Sequence, residues 1–244
     1  MPAYKSVLFQ VDGSVVTLTL NRPACLNALN EDMCHEIQQA MQTIEQDHSV
    51  RALIVTGAGN GFCSGQDSGA GEPSIPGTRS AESHPYSRAL DSLRSSRVPV
   101  VMAINGIAAG TGFSLALCGD VLLAANTASF LPSATPDGLA HSSSMITGHD
   151  PVLTQQALQQ GVINECLRGD ELLSRARELA NKLAQGPTRA LVLTRQLLDE
   201  GADSSFEAQY RRELEVNQEL RESHDGREGV QAFLEKRPAR FRGH

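Results

Sequence analysis

The sequence predicts an α/β fold, on three observations. Short β-branched runs alternate with segments whose apolar residues recur at helical spacing. The runs at 51–56 and 98–104 are apolar almost throughout, as strands covered on both faces are. From about Thr154 onward the pattern becomes helical. A chain of 244 residues can bury a sizeable core, and the change of pattern divides it near Gln185. Residues 1–185 form the α/β core and residues 186–244 a helical tail.

The chain opens on alternation: residues 7–11 and 15–20 are apolar and polar in turn around Asp12-Gly13, which predicts a hairpin with a type I′ turn. Asn30 is placed to cap a helix carrying Glu31 and Asp32 in its first turn, with Met33, Ile37, Ala40, Met41 and Ile44 on one face. A strand at 51–56 runs into the glycine-rich passage 57–67, read as a loop. Residues 68–83 are Gly, Pro, Ser and Glu without periodicity and read as a long surface loop. A helix at about 86–95 leads to the strand 98–104, the passage Asn105-Gly106 and a helix beginning near Thr111. The first amides of a helix lack intrahelical acceptors, so this junction can hold an oxygen that gains negative charge.

Residues 120–125 return as a strand, and 127–151, punctuated by Pro132, Pro136, Gly138, Gly148 and Pro151, are the least regular part. A short helix ends at Gly161, and 162–167 are extended. Asp170 caps a helix at 171–185, and Gly186-Pro187 opens another reaching Glu200. Ser204 with Glu207, and Asp225 with Glu228, have the spacing of capping boxes for two final helices. Amphipathic faces in this tail need a partner, either the core or another subunit.

Charge and cysteine content narrow the function. A net charge of -7 argues against coating nucleic acid or an anionic membrane and favours a small-molecule partner. The start, Met1-Pro2-Ala3-Tyr4-Lys5-Ser6, lacks a signal-peptide apolar region, and no apolar run is long enough to span a bilayer, so the expected location is cytoplasmic. Five scattered cysteines without a CxxC pair read as free thiols and no metal site. Gly57-x-Gly59-x-x-Phe62 lacks the third glycine of a dinucleotide fingerprint, and no Gly-x-Ser-x-Gly elbow is present. Two glycine-rich passages remain, 61–67 and 106–112, each setting bare backbone amides at a strand end. They read either as tight turns or as the two halves of an anion site.

Four motifs, in order and nearly end to end, carry a resemblance. They are Asn21-Arg22-Pro23 with Leu26-Asn27-Ala28-Leu29, Gly61-Phe62-Cys63-Ser64-Gly65-Gln66-Asp67, Asn105-Gly106-Ile107-Ala108-Ala109-Gly110-Thr111-Gly112 with Cys118-Gly119-Asp120, and the run from Arg227 to Arg237. Together they resemble the crotonase family of enoyl-CoA hydratases and isomerases, and the last also resembles the epoxyphenylacetyl-CoA isomerase type. The resemblance implies a spiral of ββα units with a C-terminal helical region used in homotrimers or dimers of trimers. It implies an acyl-CoA thioester as substrate, coenzyme A being part of that substrate and no further cofactor being required. By the same resemblance two backbone amides, those of Gln66 and Thr111, would hold the thioester oxygen, and Gly65 and Gly110 would be substrate-binding. The resemblance implies that Cys25, Leu26 and Ala28, with Ser64 and Asp67, lie along the adenine and pantetheine, and that Lys236 or Arg237 either reaches a CoA phosphate or is a solvated helix-end charge.

The chain departs from that pattern in two places. Hydratases of the family use two glutamates; here Ser114 and Ala134 stand at those positions, and neither can activate water as a carboxylate does. Moving a double bond needs only one base, and Thr135-Pro136-Asp137-Gly138 resembles the turn that carries it in isomerases, making Asp137 the proton shuttle. Counting from Phe130 without a gap puts Ser142 there instead. Between Gly138 and Ile146-Thr147-Gly148 roughly twenty residues of the family pattern are missing, about a helix and its connections. The readings left open are an enoyl-CoA isomerase, a hydratase using water held by Ser114 or His141, and an acyl-CoA-binding relative without turnover.

Overall fold

The computed structural model describes residues 4–67, 84–131 and 150–244. The chain opens with a hairpin of β1 (Val7–Asp12) and β2 (Val15–Leu20), in register from Val7 opposite Leu20 to Asp12 opposite Val15. Gly13 and Ser14 link them, and only Gly13 has a positive φ, 58°. A type I′ turn needs both central residues there, so that turn type is not formed although the hairpin is.

One unit then repeats along the chain. The hairpin and α1 (Glu31–Gln46) make the first ββα unit. A second consists of β3 (Ala52–Gly57), β4 (Gly61–Cys63) and α2 (Pro85–Arg94), and a third of β5 (Val100–Ile104), β6 (Ile107–Ala109) and α3 (Thr111–Ala116). Next come β7 (Val121–Ala125), β8 (Ser129–Leu131), β9 (Val152–Leu153), α4 (Thr154–Gln159), β10 (Glu165–Leu167) and α5 (Leu172–Ala184). From the second unit on, the first strand joins a six-stranded sheet of order β1-β2-β3-β5-β7-β10, and the second joins a four-stranded sheet of order β4-β6-β8-β9. This is the spiral of ββα units. The short strands β4 and β6 lie in passages read from the sequence as loop; each has only three residues, too few to show a period.

Packing explains the layers. Every residue of β5 is buried, and so is all of β3 except Gly57, as the near-continuous apolar runs require. Asn30 caps α1 by accepting from the Met33 amide at 2.9 Å, and Met33, Cys34, Ile37, Ala40, Met41 and Ile44 are its buried face. Beneath the smaller sheet Phe113 and Phe130 meet with ring centroids 5.5 Å apart, both buried. On α5, Leu172, Ala176, Ala180 and Ala184 form a buried stripe at four-residue spacing, small enough to bring the helix close to the main sheet.

The tail is α6 (Thr188–Gly201), α7 (Phe206–Glu222) and α8 (His224–Glu235). None of the three caps expected at α5, α7 and α8 forms, and two of them are replaced by neighbours. Asp170 pairs with Arg168 and leaves α5 without a side-chain cap. Ser205, not Ser204, caps α7, and Ser223, not Asp225, caps α8. The buried Asp225 carboxylate instead accepts from the Arg242 and Gly243 amides at 2.6 Å each, tying the chain end back over α8. Among the described residues no helix is long and apolar enough to cross a membrane.

Candidate active site

Parallel pairing of β4 with β6 brings the two glycine-rich passages side by side, with Gly61 opposite Ile107 and Cys63 opposite Ala108. The approach is closer than side chains allow. A methyl on Gly112 would come within 2.2 Å of the Cys63 carbonyl oxygen, and one on Gly106 within 2.0 Å of the Asn60 oxygen. At Gly65, where φ is +105°, a methyl would lie 2.9 Å from the Ala109 oxygen and 3.8 Å from the Thr111 nitrogen. The end of one passage therefore rests against the start of the helix that succeeds the other.

A second pairing fixes the first passage from its other side. Residues 26–29 run parallel to 64–67: the Ser64 amide donates to Leu26 at 3.0 Å, Leu29 to Gly65 at 2.7 Å and Asp67 to Leu29 at 2.8 Å. Gln66 is the bridge partner of Leu29, and its own N–H points away from that ladder. Thr111 is the first residue of α3, after Gly110 at φ 50°, a conformation that favours glycine. Neither the Gln66 nor the Thr111 N–H reaches an acceptor among the described residues. Because α3 has only six residues, what it offers is bare amides more than a long dipole.

Two asparagines hold these loops. Asn27, fully buried, accepts from the Arg22 amide at 2.8 Å and donates to the Ala58 and Gly61 carbonyls at 2.9 and 2.8 Å. Asn105 accepts from the Gly57 amide at 3.0 Å and donates to the Gly59 and Gly61 oxygens at 2.9 and 3.2 Å. Leu26 and Asn27 are consecutive non-glycine residues at positive φ, 51° and 57°. Such conformations cost about 1–3 kcal/mol each and persist where the surroundings over-determine them; here the Asn27 side chain supplies that constraint.

From residue 10 onward the chain fits one family. The model described as enoyl-CoA hydratase/isomerase matches residues 10–145 and 137–244. This chain belongs to the enoyl-CoA hydratase/isomerase family. Among crotonases it is 34% identical to the 1,2-epoxyphenylacetyl-CoA isomerase of Escherichia coli, over 97% of this chain and 98% of that protein. It is 30% identical to the 2,3-dehydroadipyl-CoA hydratase of the same organism, over 94% and 95%. An enoyl-CoA hydratase/isomerase structure from Mycobacterium paratuberculosis superposes with a TM-score of 0.84 at 28% identity, covering 99% of this chain and all of that one. Proteins named as hydratase and as isomerase lie at similar identity, so the likeness singles out neither type.

Within this crotonase fold the ladder gathers most of the site residues read from the sequence. Cys25, Leu26 and Ala28 lie on one side of it and Ser64, Gly65, Gln66 and Asp67 on the other, with the Ser64 hydroxyl donating to the Cys25 carbonyl at 3.1 Å. The Asp67 carboxylate is engaged by Arg22 at 2.7 Å, so it turns toward the protein. Arg237 is held by Glu228 and Glu235, which leaves Lys236, exposed and at φ 53°, as the less encumbered cation of that pair. Asp137, Ser142, Ala134 and His141 lie outside the described residues. Cys63 is buried, and desolvation pushes its thiol up to about 12, so it is an inert thiol filling space. The described residues contain no group of three His, Cys, Asp or Glu able to hold a metal ion.

Local sequence patterns assign no role to Asn27, Asn105, Arg22 or Tyr86. Tyr86, at the start of α2, stacks on His84 with centroids 4.8 Å apart, and its hydroxyl interacts with the Gln66 side chain. Burial raises its phenol above the ordinary value. An asparagine followed by a small residue, Asn27-Ala28 in the turn after β2 and Asn105-Gly106 at the end of β5, was the available signal for the two anchors.

Proposed function

We propose that this chain binds acyl-CoA thioesters and shifts the double bond of an enoyl-CoA. One observation carries the reading: Gly65 rests against the Thr111 amide, so two N–H groups that reach no acceptor among the described residues, those of Gln66 and Thr111, lie on adjoining turns. A thioester oxygen between them gains charge as the enolate forms, and each such donor contributes roughly 2.7–4 kcal/mol to the transition state. In the proposed reaction a base removes a proton from carbon two of a 3-enoyl-CoA. The electron pair delocalises into a dienolate held by the two amides, and the proton returns at carbon four to give the 2-enoyl-CoA. One carboxylate suffices for both transfers, and Asp137 is the proposed shuttle. Ser114, on α3, supplies no carboxylate for a hydration mechanism.

Coenzyme A runs along the ladder in this reading, past Cys25, Leu26 and Ala28 on one side and Ser64 and Gly65 on the other. Asp67 contributes by holding the loop. Residues 1–185 are the proposed acyl-CoA-binding core and 186–244 the assembly region. In support, the tail leaves Leu198, Phe206, Tyr210, Leu214, Val230, Phe233 and Leu234 exposed, apolar side chains that a second subunit could cover. A homotrimer or dimer of trimers would cover them.

Double-bond migration measured on 3-hexenoyl-CoA, for wild type beside Asp137→Asn, tests the reading. Turnover that Asp137→Asn reduces at least a hundredfold supports it; equal rates remove Asp137 from the mechanism. Calorimetric binding of CoA without turnover of any 2- or 3-enoyl-CoA would leave a binding protein in place of an enzyme.

A further inference from the structure

We propose that Arg22 is a positioning residue, whose guanidinium holds the Gln66 N–H in place by clamping both sides of the ladder that carries it. The proposal rests on the reading that this N–H receives the thioester oxygen. Its Nη2 lies 2.7 Å from Asp67 Oδ2, one residue beyond Gln66, and its Nη1 lies 2.6 Å from the Ala28 carbonyl oxygen, on the opposite segment. One planar group thus joins the segment 26–29 to the segment 64–67 at the end where their backbone ladder finishes.

The clamp is itself fixed. The Arg22 amide donates to Asn27 Oδ1 at 2.8 Å, and its carbonyl accepts from the Asn27 amide at 2.9 Å. The side chains of Arg22 and Asp67 are only 24% and 17% exposed, so water screens the pair less than at an open surface. Charge-assisted bonds of this kind are about twice as strong as neutral ones, and only the arginine fork reaches two acceptors in fixed directions. The ladder beneath is short, three backbone bonds between segments that are otherwise loop. Its Gln66 N–H reaches no acceptor among the described residues, so its direction depends on what fixes its neighbours. Arg22 supplies that constraint without touching the reacting atoms.

The test uses the full chain with Arg22→Met and Arg22→Lys, read in two ways. In the free protein, hydrogen exchange of the Leu29 and Asp67 amides, which bond across the ladder, should speed up at least tenfold in Arg22→Met and less in Arg22→Lys. Amides of the main sheet should keep their protection. With 3-hexenoyl-CoA, kcat should fall about 10- to 100-fold while KM changes less than about threefold, as expected when a transition-state donor is misplaced. Unchanged exchange at Leu29 and Asp67 would overturn the proposal. So would a loss confined to melting temperature, with kcat per folded molecule preserved. Wild-type protein without turnover would count against the proposed reaction alone, since the exchange measurement still decides whether Arg22 holds the loop.

Discussion

Asn27 donates its side-chain amide to the Gly61 carbonyl at 2.8 Å from a backbone held at φ 57°. With its bonds to Ala58 and Arg22, that side chain fastens the loop 22–27 to the loop 58–61 beneath the site. Asn27→Ala strands the buried Gly61 carbonyl and the part-buried Arg22 amide and Ala58 carbonyl, at a cost of about 2–3 kcal/mol. Asn27→Asp is expected to be no better, because it sets an oxygen against two carbonyl oxygens. Urea denaturation checks both, and a loss below about 1 kcal/mol in either variant would contradict the anchoring role.

Gly65→Ala should act on chemistry more than on binding. The added methyl meets the Ala109 oxygen at 2.9 Å from a positive-φ backbone, so the turn must move away from Thr111. Displacing one donor is expected to lower kcat by about 100-fold, the scale of losing one oxyanion bond. Steady-state kinetics on a 3-enoyl-CoA measures it. A variant with kcat within threefold of wild type would show that the two turns do not act together.

Arg195 enters the core from α6, only 5% exposed, and bonds Asp120 Oδ2 at 3.0 Å and the Ser96 carbonyl. Its Nε is buried without a partner among the described residues. Burial pushes Asp120 up and Arg195 down, each toward its neutral form, so the pair joins α6 to the core against a desolvation cost. Arg195→Met should cost roughly 2–3 kcal/mol, somewhat below the 3–5 of fully buried pairs because Asp120 keeps some water. Adding Asp120→Asn should recover part of it. Thermal melts of the single and double variants supply the comparison, and equal melting of all three proteins would exclude the coupling.

Glu228 gives the tail an acid-sensitive joint. Its carboxylate accepts two bonds from Arg237, at 2.6 and 3.0 Å, and one from the Arg240 amide at 2.7 Å, holding its pKa down to about 2. A carboxyl depressed by folding stabilises the folded chain above its unfolded pKa of about 4.3. That contribution drains away as pH falls from there toward about 2. Guanidinium unfolding of wild type and Glu228→Gln should therefore show a gap at pH 6 that narrows as pH falls below about 4.3 and closes only below about pH 2. A gap independent of pH would mean the carboxylate is not linked to the tail's folding.

Hydrophobic period and turn chemistry made the scaffold legible from sequence: the hairpin, the Asn30-capped helix, the fully apolar strands and the helical tail. Motifs joined end to end indicated the family. The caps at Ser205 and Ser223 escaped because adjacent residues offered equally good capping oxygens, and only the helix axis chooses between them. The three-residue strands β4 and β6 escaped because strands that short are specified by their partners. Which amides lie together was decided by tertiary structure alone. The turn at Gly65 and the Thr111 amide are distant in the chain, and they adjoin because β4 pairs with β6 and glycine lets the backbones touch. The same folding spends the Asp67 carboxylate on Arg22, since a charge facing the protein takes the nearest fixed partner. Sequence thus determined the kind of site, through residue types that local rules can read. Its geometry came from long-range pairing, whose register no local rule contains.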